Sequence, residues 1–473
     1  MNPTSSGFGL VDEPSRVRSI VVGGGIAGLV AARELAIKGD SVILLESTGR
    51  LGGLISAVTL LGKMVDSGAE AFAVSRPHTL GLIESLGLSD HVIRPTRSDA
   101  RIRIGGRTEP IPVGILGIPA SLEDESLLTS LGEDAIEVAK RLDSQPWQFD
   151  GSPTIGEVVL ARLGKTFLDH IVAPVIGGVH ASDPMMLEMR VVAPGLLEAA
   201  AETGSLVGGV IKMRANAATP GAAVSGFVGG MHKLVSALTE SVENLGVEIR
   251  LNSKVQKVSI DQNSFEIMVA GSPDISVDRL VLAVPPNVAA ELLSAEPTIA
   301  EPLAGIKSVD VAVVTLAIKD QQLAGQPLGS GVLVTEGDSN VQAKASTHVT
   351  AKWAWLKDQF EPDVEILRLS YGRNGVMPCA PEGLVDVALK DAQELYGLNH
   401  SKLLDSSVVL WPKALIQSVP GHQDLITKLQ LALAKVSGLG IVGAGLGGNG
   451  ITGVVAKTLE TTSQIGVRYS HGD

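Results

Sequence analysis

Residues 19–46 read SIVVGGGIAGLVAARELAIKGDSVILLE. Ser19 to Val22 is a short apolar strand, and Gly23, Gly25 and Gly28 then spell G-x-G-x-x-G with Gly24, Ile26 and Ala27 between them. LVAARELAIKG comes next, with apolar residues on one helical face and Gly39 as its stop. A second strand, SVILLE, ends at Glu46. The first glycine permits the turn, the second lets backbone approach a pyrophosphate, and the third lets helix meet sheet. The helix N-terminus faces the anion, and Glu46 falls where a carboxylate accepts hydrogen bonds from ribose hydroxyls. Strand, helix, strand and acid together predict a Rossmann-type α/β unit that binds a dinucleotide.

The whole chain suits such a unit. At 473 residues it is long enough for two or three domains, with 54 glycines and only 19% charged residues. Mean hydropathy is +0.28, which excludes a disordered chain and reads as a compact, ligand-enclosing enzyme. The formal charge of −13 repels nucleic acid and anionic lipid, so an anionic ligand must meet a local basic patch. A single cysteine, Cys379, rules out an intramolecular disulfide or a cysteine metal cluster and places the chain in a reducing cytoplasm. The histidines show no ligand spacing, so no metal is expected. Residues 1–15 are small and polar and read as a flexible arm without a signal sequence. Ile20 to Ile37 carries Arg33 and Glu34, and Ser437 to Ala456 is interrupted by glycine, so neither is read as a membrane span; peripheral contact with a membrane stays open.

A second glycine turn stands near the other end. In GIVGAGLGGNGITG (440–453), Gly443, Gly445 and Gly448 repeat the G-x-G-x-x-G spacing. The residues after Gly448 suffice for one helix, VVAKTLETTSQI, but supply no second strand ending in a ribose acid. The second fingerprint is incomplete, and a second nucleotide is not expected. The turn can still bring a helix N-terminus to an electron-rich edge of one long ligand.

Past Glu46 the chain reads ESTGRLGGLIS, with Arg50, Gly52 and Gly53 placed to reach the far phosphate of an extended dinucleotide. This E-x-x-x-R-x-G-G extension resembles the flavin amine oxidase superfamily and implies FAD, non-covalent and one per chain. Further motifs narrow the resemblance: DSGAEAF (66–72), PIPVGILGIPASL (110–122), APVIGGVHASDP (173–184), GSLVGG (204–209), SGFVGGMHKL (225–234), LVLAVPP (280–286), WPKALIQSVPGH (411–422) and GNGI (448–451). From Ile20 to about Gln464 the chain is similar to the oxygen-dependent coproporphyrinogen III and protoporphyrinogen IX oxidases, nearest to the Gram-positive coproporphyrinogen III oxidases. The resemblance implies FAD contacts at Gly23 to Gly28, Glu46 and Ser47, at Arg50, Gly52, Gly53 and Leu54, and at Gly68, Ala69, Glu70 and Ala71. It adds Val255 at the adenine, Trp411, and Asn449, Gly450 and Ile451 at the flavin ring. The chain departs from the family at GNGITG, which lacks the usual proline and acid, and at Ser418. The second turn carries no aromatic residue, unlike the amine oxidases.

For the substrate, RPTRSDARIRIGGR (94–107) places five arginines in fourteen residues. Arg101 and Arg103 share a strand face and could meet two carboxylates. The alternative is a solvated edge strand whose charges limit aggregation. The resemblance favours Arg101, and adds Arg76, as groups that hold substrate carboxylates. It implies hydride transfer from a macrocycle carbon to flavin N5 with loss of an N–H proton, then reoxidation by O₂ to H₂O₂, in three rounds. No catalytic base is nominated: His180, His232, Asp183 and Glu70 each fit a structural place. Handover of product to a ferrochelatase stays open. Alternatives are a protoporphyrinogen IX oxidase, an amine oxidase or carotenoid desaturase, and a binding protein like the Rab GDP-dissociation inhibitors.

The expected fold is a discontinuous Rossmann-type FAD domain (16–90, 226–300 and 405–473), a mainly helical insert (91–225) carrying the basic strand toward substrate, and a β-rich substrate domain (301–404).

Overall fold

The computed structural model describes residues 16–466 except 75–76, 150, 181, 216–223 and 262–263. The stretch at 19–46 forms strand Arg18–Val22, helix Ile26–Ile37 and strand Ser41–Leu45. Gly39, at φ +94°, closes the helix in a conformation that side chains resist. These strands sit in a five-stranded sheet in the order Glu248–Arg250, Ser41–Leu45, Arg18–Val22, Arg279–Leu282, Leu439–Ile441. Every neighbouring pair is parallel. Alternation along the strands divides the core. Val21, Leu44, Val281 and Val442 pack on one face among helices Ile26–Ile37, His232–Asn244 and Ile451–Gln464. Ile20, Val22, Leu45, Leu280 and Leu282 pack on the other, against a three-stranded antiparallel sheet that begins with Val255–Ile260. A large side chain taken fully out of water in this way contributes about 1.5–3 kcal/mol.

A seven-stranded sheet stands beside this unit, in the order Lys402–Gln417, Lys307–Lys319, Val364–Tyr371, Ala345–His348, Gly331–Val334, Ala100–Ile104, Arg107–Pro110. Its pairs are antiparallel except Gly331–Val334 with Ala100–Ile104. The basic strand of the sequence is therefore an interior strand of the large sheet, and the charged edge belongs to Arg107–Pro110.

Between residues 125 and 215 the described chain is mainly helical, around a core that includes Val158, Phe167, Ile171, Ile176 and Leu206. IGEVVLARL becomes helix Ile155–Leu163, opened by a capping box of Thr154 and Glu157. The GSLVGG motif is latched from the same core. Buried Asp143 accepts from the N–H of Leu206 at 2.7 Å, and buried Arg162 pairs with Asp143 and donates to the Gly204 carbonyl at 2.7 Å. The helical run from Lys165 to His180 widens to a π turn at Leu168–Val172. Pro174 explains the widening, because its ring would strike the carbonyl of His170 in a regular α-helix.

Candidate functional site

Strands Arg18–Val22 and Leu439–Ile441 flank Arg279–Leu282, and all three run parallel. Their carboxyl ends, and hence both glycine turns, open on one edge of one sheet, about 10 Å apart. Helices Ile26–Ile37 and Ile451–Gln464 start from those turns and pack together, and neither has a side chain capping its N-terminus. Two sets of unpaired N–H groups and two positive helix ends face the same groove. Each glycine of the first turn has a distinct reason. A Cβ on Gly28 would overlap the carbonyl of Gly23, and one on Gly23 the carbonyl of Ala283. A Cβ on Gly25 would stand 3.9 Å from Gly53 with nothing nearer, so that glycine keeps a space that protein does not fill.

Glu46 spans the turn. One carboxylate oxygen accepts from the N–H of Gly24 at 2.7 Å, and the other accepts from the N–H and hydroxyl of Thr48, both at 2.8 Å. Ser47 beside it is exposed, and its hydroxyl lies 3.3 Å from Glu46. The N–H of Ser253 donates to the Glu46 carbonyl at 2.8 Å, which brings the chain that leads into Val255 alongside the acid. Gly52 donates to the Gly24 carbonyl at 2.8 Å, so the two glycine segments lie side by side as the backbone walls of a groove. Arg50 donates to the Gly53 carbonyl at 3.0 Å, and its guanidinium lies 5.8 Å from the Trp411 ring. Trp411 donates to the Ser67 carbonyl at 3.1 Å, and the N–H of Ala69 donates to the Leu54 carbonyl at 3.0 Å. Arg50, Gly52, Gly53, Leu54, Gly68 and Ala69 thus meet Trp411 from the far end of the chain.

At the second turn the side chains serve the fold, and backbone is left for a ligand. Asn449 accepts from the N–H of Ile416 at 2.8 Å and donates to its carbonyl at 2.9 Å, so its amide continues the large sheet instead of turning to a flavin ring. Ile451 is buried in the core, as Ala27 is at the first turn. Thr452 donates to the Ala73 carbonyl at 2.7 Å, which fastens this helix start to the residue just after the DSGAEAF segment. A Cβ on Gly450 would meet nothing within 4 Å. Gly450→Asp is therefore expected to fold with its melting midpoint unchanged and to set a carboxylate against the electron-rich end of the groove. FAD affinity or the rate of flavin reduction should fall about tenfold or more. Normal FAD content together with a normal rate would misplace the ring.

Two expectations need correction. Glu70 is bound within the protein: its carboxylate pairs with Lys352 and with Arg368 at 2.7 Å, and Arg368 also donates to the Gly68 carbonyl at 2.7 Å. Burial raises the Glu70 carboxyl, but the two cations outweigh it and hold the group at about 2. Glu70 shapes the loop that lines the groove and does not offer its carboxylate to it.

The second correction concerns the arginines. Arg101 and Arg103 do share a face, but it is the face turned away from the groove. Register carries one face across the sheet through Trp411, Val311 and Val313, Ser370 and Arg368, Ala345, Leu333 and Ile102. This face holds Trp411 and Arg368, which touch the groove. Arg101 and Arg103 lie on the opposite face, with Val332 and Val334 and under helix Leu384–Tyr396. There Arg103 is buried between Asp338 at 2.8 Å and Glu394 at 2.5 Å, and Arg101 donates to the Leu328 carbonyl at 2.8 Å. Neither is free to meet a substrate on the groove side. Arg76 lies outside the described residues.

The groove-side face carries cations that the sequence reading did not single out. Besides Arg368, Lys344 is 2% exposed and Arg373 is half-buried. Burial, then the charge of Arg373, lowers the Lys344 ammonium to about 7. His180 is lowered to about 4 by burial and then by Lys344. The sequence signal was a charge at an inward position of an otherwise apolar strand, as in VEILRLSY. Among the described residues no cluster of His, Cys, Asp and Glu could hold a metal, and no helix is long and apolar enough to cross a membrane.

Known proteins match this arrangement. The family model for flavin containing amine oxidoreductases matches residues 26–447. A coproporphyrinogen III oxidase of Mycobacterium tuberculosis is 30% identical over 448 residues, covering 92% of this chain and 94% of the relative. A chloroplastic protoporphyrinogen oxidase of Arabidopsis thaliana is 26% identical over 464 residues, covering 92% and 84%. The crystal structure of an Exiguobacterium protein attributed to the protoporphyrinogen oxidases superposes with a TM-score of 0.83 at 24% identity, covering 95% of this chain and 98% of that one.

Proposed function

The chain belongs to the flavin containing amine oxidoreductase family, and from that premise we propose that it oxidises coproporphyrinogen III to coproporphyrin III in haem synthesis, with three O₂ reduced to three H₂O₂. The observation that carries this reading is the sheet edge shared by both glycine turns. One extended groove runs from Glu46, past Arg50, to Gly450, and open space at Gly25 and Gly450 fits one FAD. FAD, when bound, supplies the hydride acceptor and the reaction with O₂.

The chain's own residues supply placement and charge. Glu46 and Ser47 face the ribose, and the N–H group of Gly25, the Gly52–Gly53 backbone and the Arg50 guanidinium serve the pyrophosphate, while the Gly24 N–H is held by Glu46. The N–H groups that open helix Ile451–Gln464 face the end where negative charge grows during the reaction. Val311, Val313, Trp411 and Leu415 form an apolar patch on the groove-side face, a surface suited to one side of a macrocycle. The one cysteine, Cys379, suits a reducing cytoplasm, where the product could pass to a ferrochelatase.

The test compares coproporphyrinogen III with protoporphyrinogen IX as substrates of the purified, FAD-loaded protein. The expected result is at least a tenfold kcat/KM advantage for coproporphyrinogen III, about 1.4 kcal/mol in the transition state. A clear advantage for protoporphyrinogen IX would assign the chain to the other oxidase. Anaerobic bleaching of the flavin by an amine, but by neither porphyrinogen, would place it with the amine oxidases.

A further inference from the structure

Lys344 lies at a bend just ahead of strand Ala345–His348 of the large sheet. Its N–H donates to the Ser370 carbonyl at 2.9 Å, while its own carbonyl accepts from the Val334 N–H at 3.1 Å. N–H and C=O of one residue thus serve opposite neighbours, as at a bulge, where two successive side chains turn to one face. Ala345 faces helix Ala173–His180, since it lies 3.7 Å from the Cβ position of Gly178. Lys344 joins it there, within electrostatic reach of His180 and Arg373. Arg373 donates to the Val334 carbonyl at 2.7 Å, so Val334 ties both cations to one point of the sheet. Its guanidinium also occupies the space that a side chain at Gly177 would need.

Two basic side chains are gathered here with little to balance them: burial, then the charge of Arg373, lowers the Lys344 ammonium to about 7. Lys344 has no ion pair or side-chain hydrogen bond among the described residues, and Arg373 has only the influence of exposed Glu336. The C-terminus of helix Ala173–His180 offers about half a negative charge. Burying cations without partners is costly, and a ligand carboxylate removes that cost. The place is also right. Gln417 donates to the His180 carbonyl at 2.9 Å, and its neighbour Ile416 is bound by Asn449, so the corner that His180 lines is joined through strand Lys402–Gln417 to the second glycine turn.

We propose that Lys344 and Arg373 form a binding site for a carboxylate side arm of the tetrapyrrole substrate. The assignment rests on the porphyrinogen reading above. The site takes the role expected of Arg101 and Arg103, from the correct face of the sheet. Arg373 offers the planar fork and Lys344 the point charge. His180, uncharged at neutral pH, lines the same corner.

The test is binding of coproporphyrin III, and of its tetramethyl ester, to FAD-loaded wild type and Lys344→Met. In the variant the dissociation constant of the free acid should rise about 10- to 100-fold, while that of the ester stays the same. KM for coproporphyrinogen III should rise in parallel, with kcat within about threefold. The variant should melt at or above the wild-type temperature, because it loses an unpaired buried charge. Unchanged free-acid binding would overturn the assignment. So would an equal loss for acid and ester, or a variant that melts lower or does not fold, since each marks Lys344 as a structural residue. If the wild type oxidises a different carboxylated porphyrinogen, the proposed reaction fails, yet the acid and ester of that product still read this site.

Discussion

Gly28→Ala should leave the protein unable to retain flavin. Alanine is the better helix former by about 1 kcal/mol, so propensity alone favours the variant. Sterics decide the other way. The added methyl would overlap the Gly23 carbonyl and stand 3.3 Å from Ala283 Cβ, and the first obstacle is backbone with no rotamer to move. Relief requires helix Ile26–Ile37 to lift from its strand, at a cost on the order of 3 kcal/mol or more. The lift moves the helix N-terminus away from the groove, so FAD affinity should fall at least a hundredfold. Gel filtration followed by the flavin absorbance ratio reads this directly. A variant with wild-type flavin content and melting would show that the close contact at Gly28 is not needed.

Glu70→Gln should also have a large effect, through charge instead of volume. The substitution leaves Lys352 and Arg368 facing each other with their shared carboxylate gone, and losing one partner of a buried ion cluster costs about 3–5 kcal/mol. The segment Gly68–Ala71 loses its anchor, since Arg368 holds both Glu70 and the Gly68 carbonyl. The pH dependence has a definite sign. Glu70 is lowered from 4.5 to about 2, so its stabilisation is fully present above about 4.5 and is lost as pH falls toward 2. The shift corresponds to about 3 kcal/mol. Urea unfolding at pH 7 should therefore separate wild type from Glu70→Gln widely, and the gap should narrow as the pH is lowered below 4.5. Equal stability of the two at pH 7 would sink this account.

The first half of the groove was legible because its constraints act on backbone. Gly23 and Gly28 are fixed by contacts no side chain tolerates, and Glu46 by the strand that ends there. The reading that one ligand called for both glycine turns also rested on backbone, since Leu439–Ile441 needs only to join the same parallel sheet. Side-chain destinations were harder. Alternation along ARIRI showed that Arg101 and Arg103 share a face, but which face looks toward the groove depends on partners more than two hundred residues away. Glu70 stood in the stretch 68–71 that the resemblance gives to FAD, and the ion pairs that take its carboxylate were hidden because Lys352 and Arg368 come from a remote helix and strand. Lys344 was hidden because it stands at a bend just ahead of strand Ala345–His348, where the period of two no longer applies.

The large sheet also sets an order of assembly. Ala100–Ile104 pairs with Gly331–Val334, more than two hundred residues downstream, and Arg18–Val22 shares its sheet with Leu439–Ile441 near the far end of the described chain. On a ribosome adding 5–20 residues per second, the basic strand at 100–104 waits on the order of 10–50 s for its partner. Both sheets therefore close late, through contacts of high sequence separation that fold slowly. The flavin groove, whose two ends come from the first and last strands of one sheet, is completed only after nearly the whole described chain has been made. Free FAD in the cell then acts as a staple on a finished fold, and flavin supply should govern how much newly made protein survives.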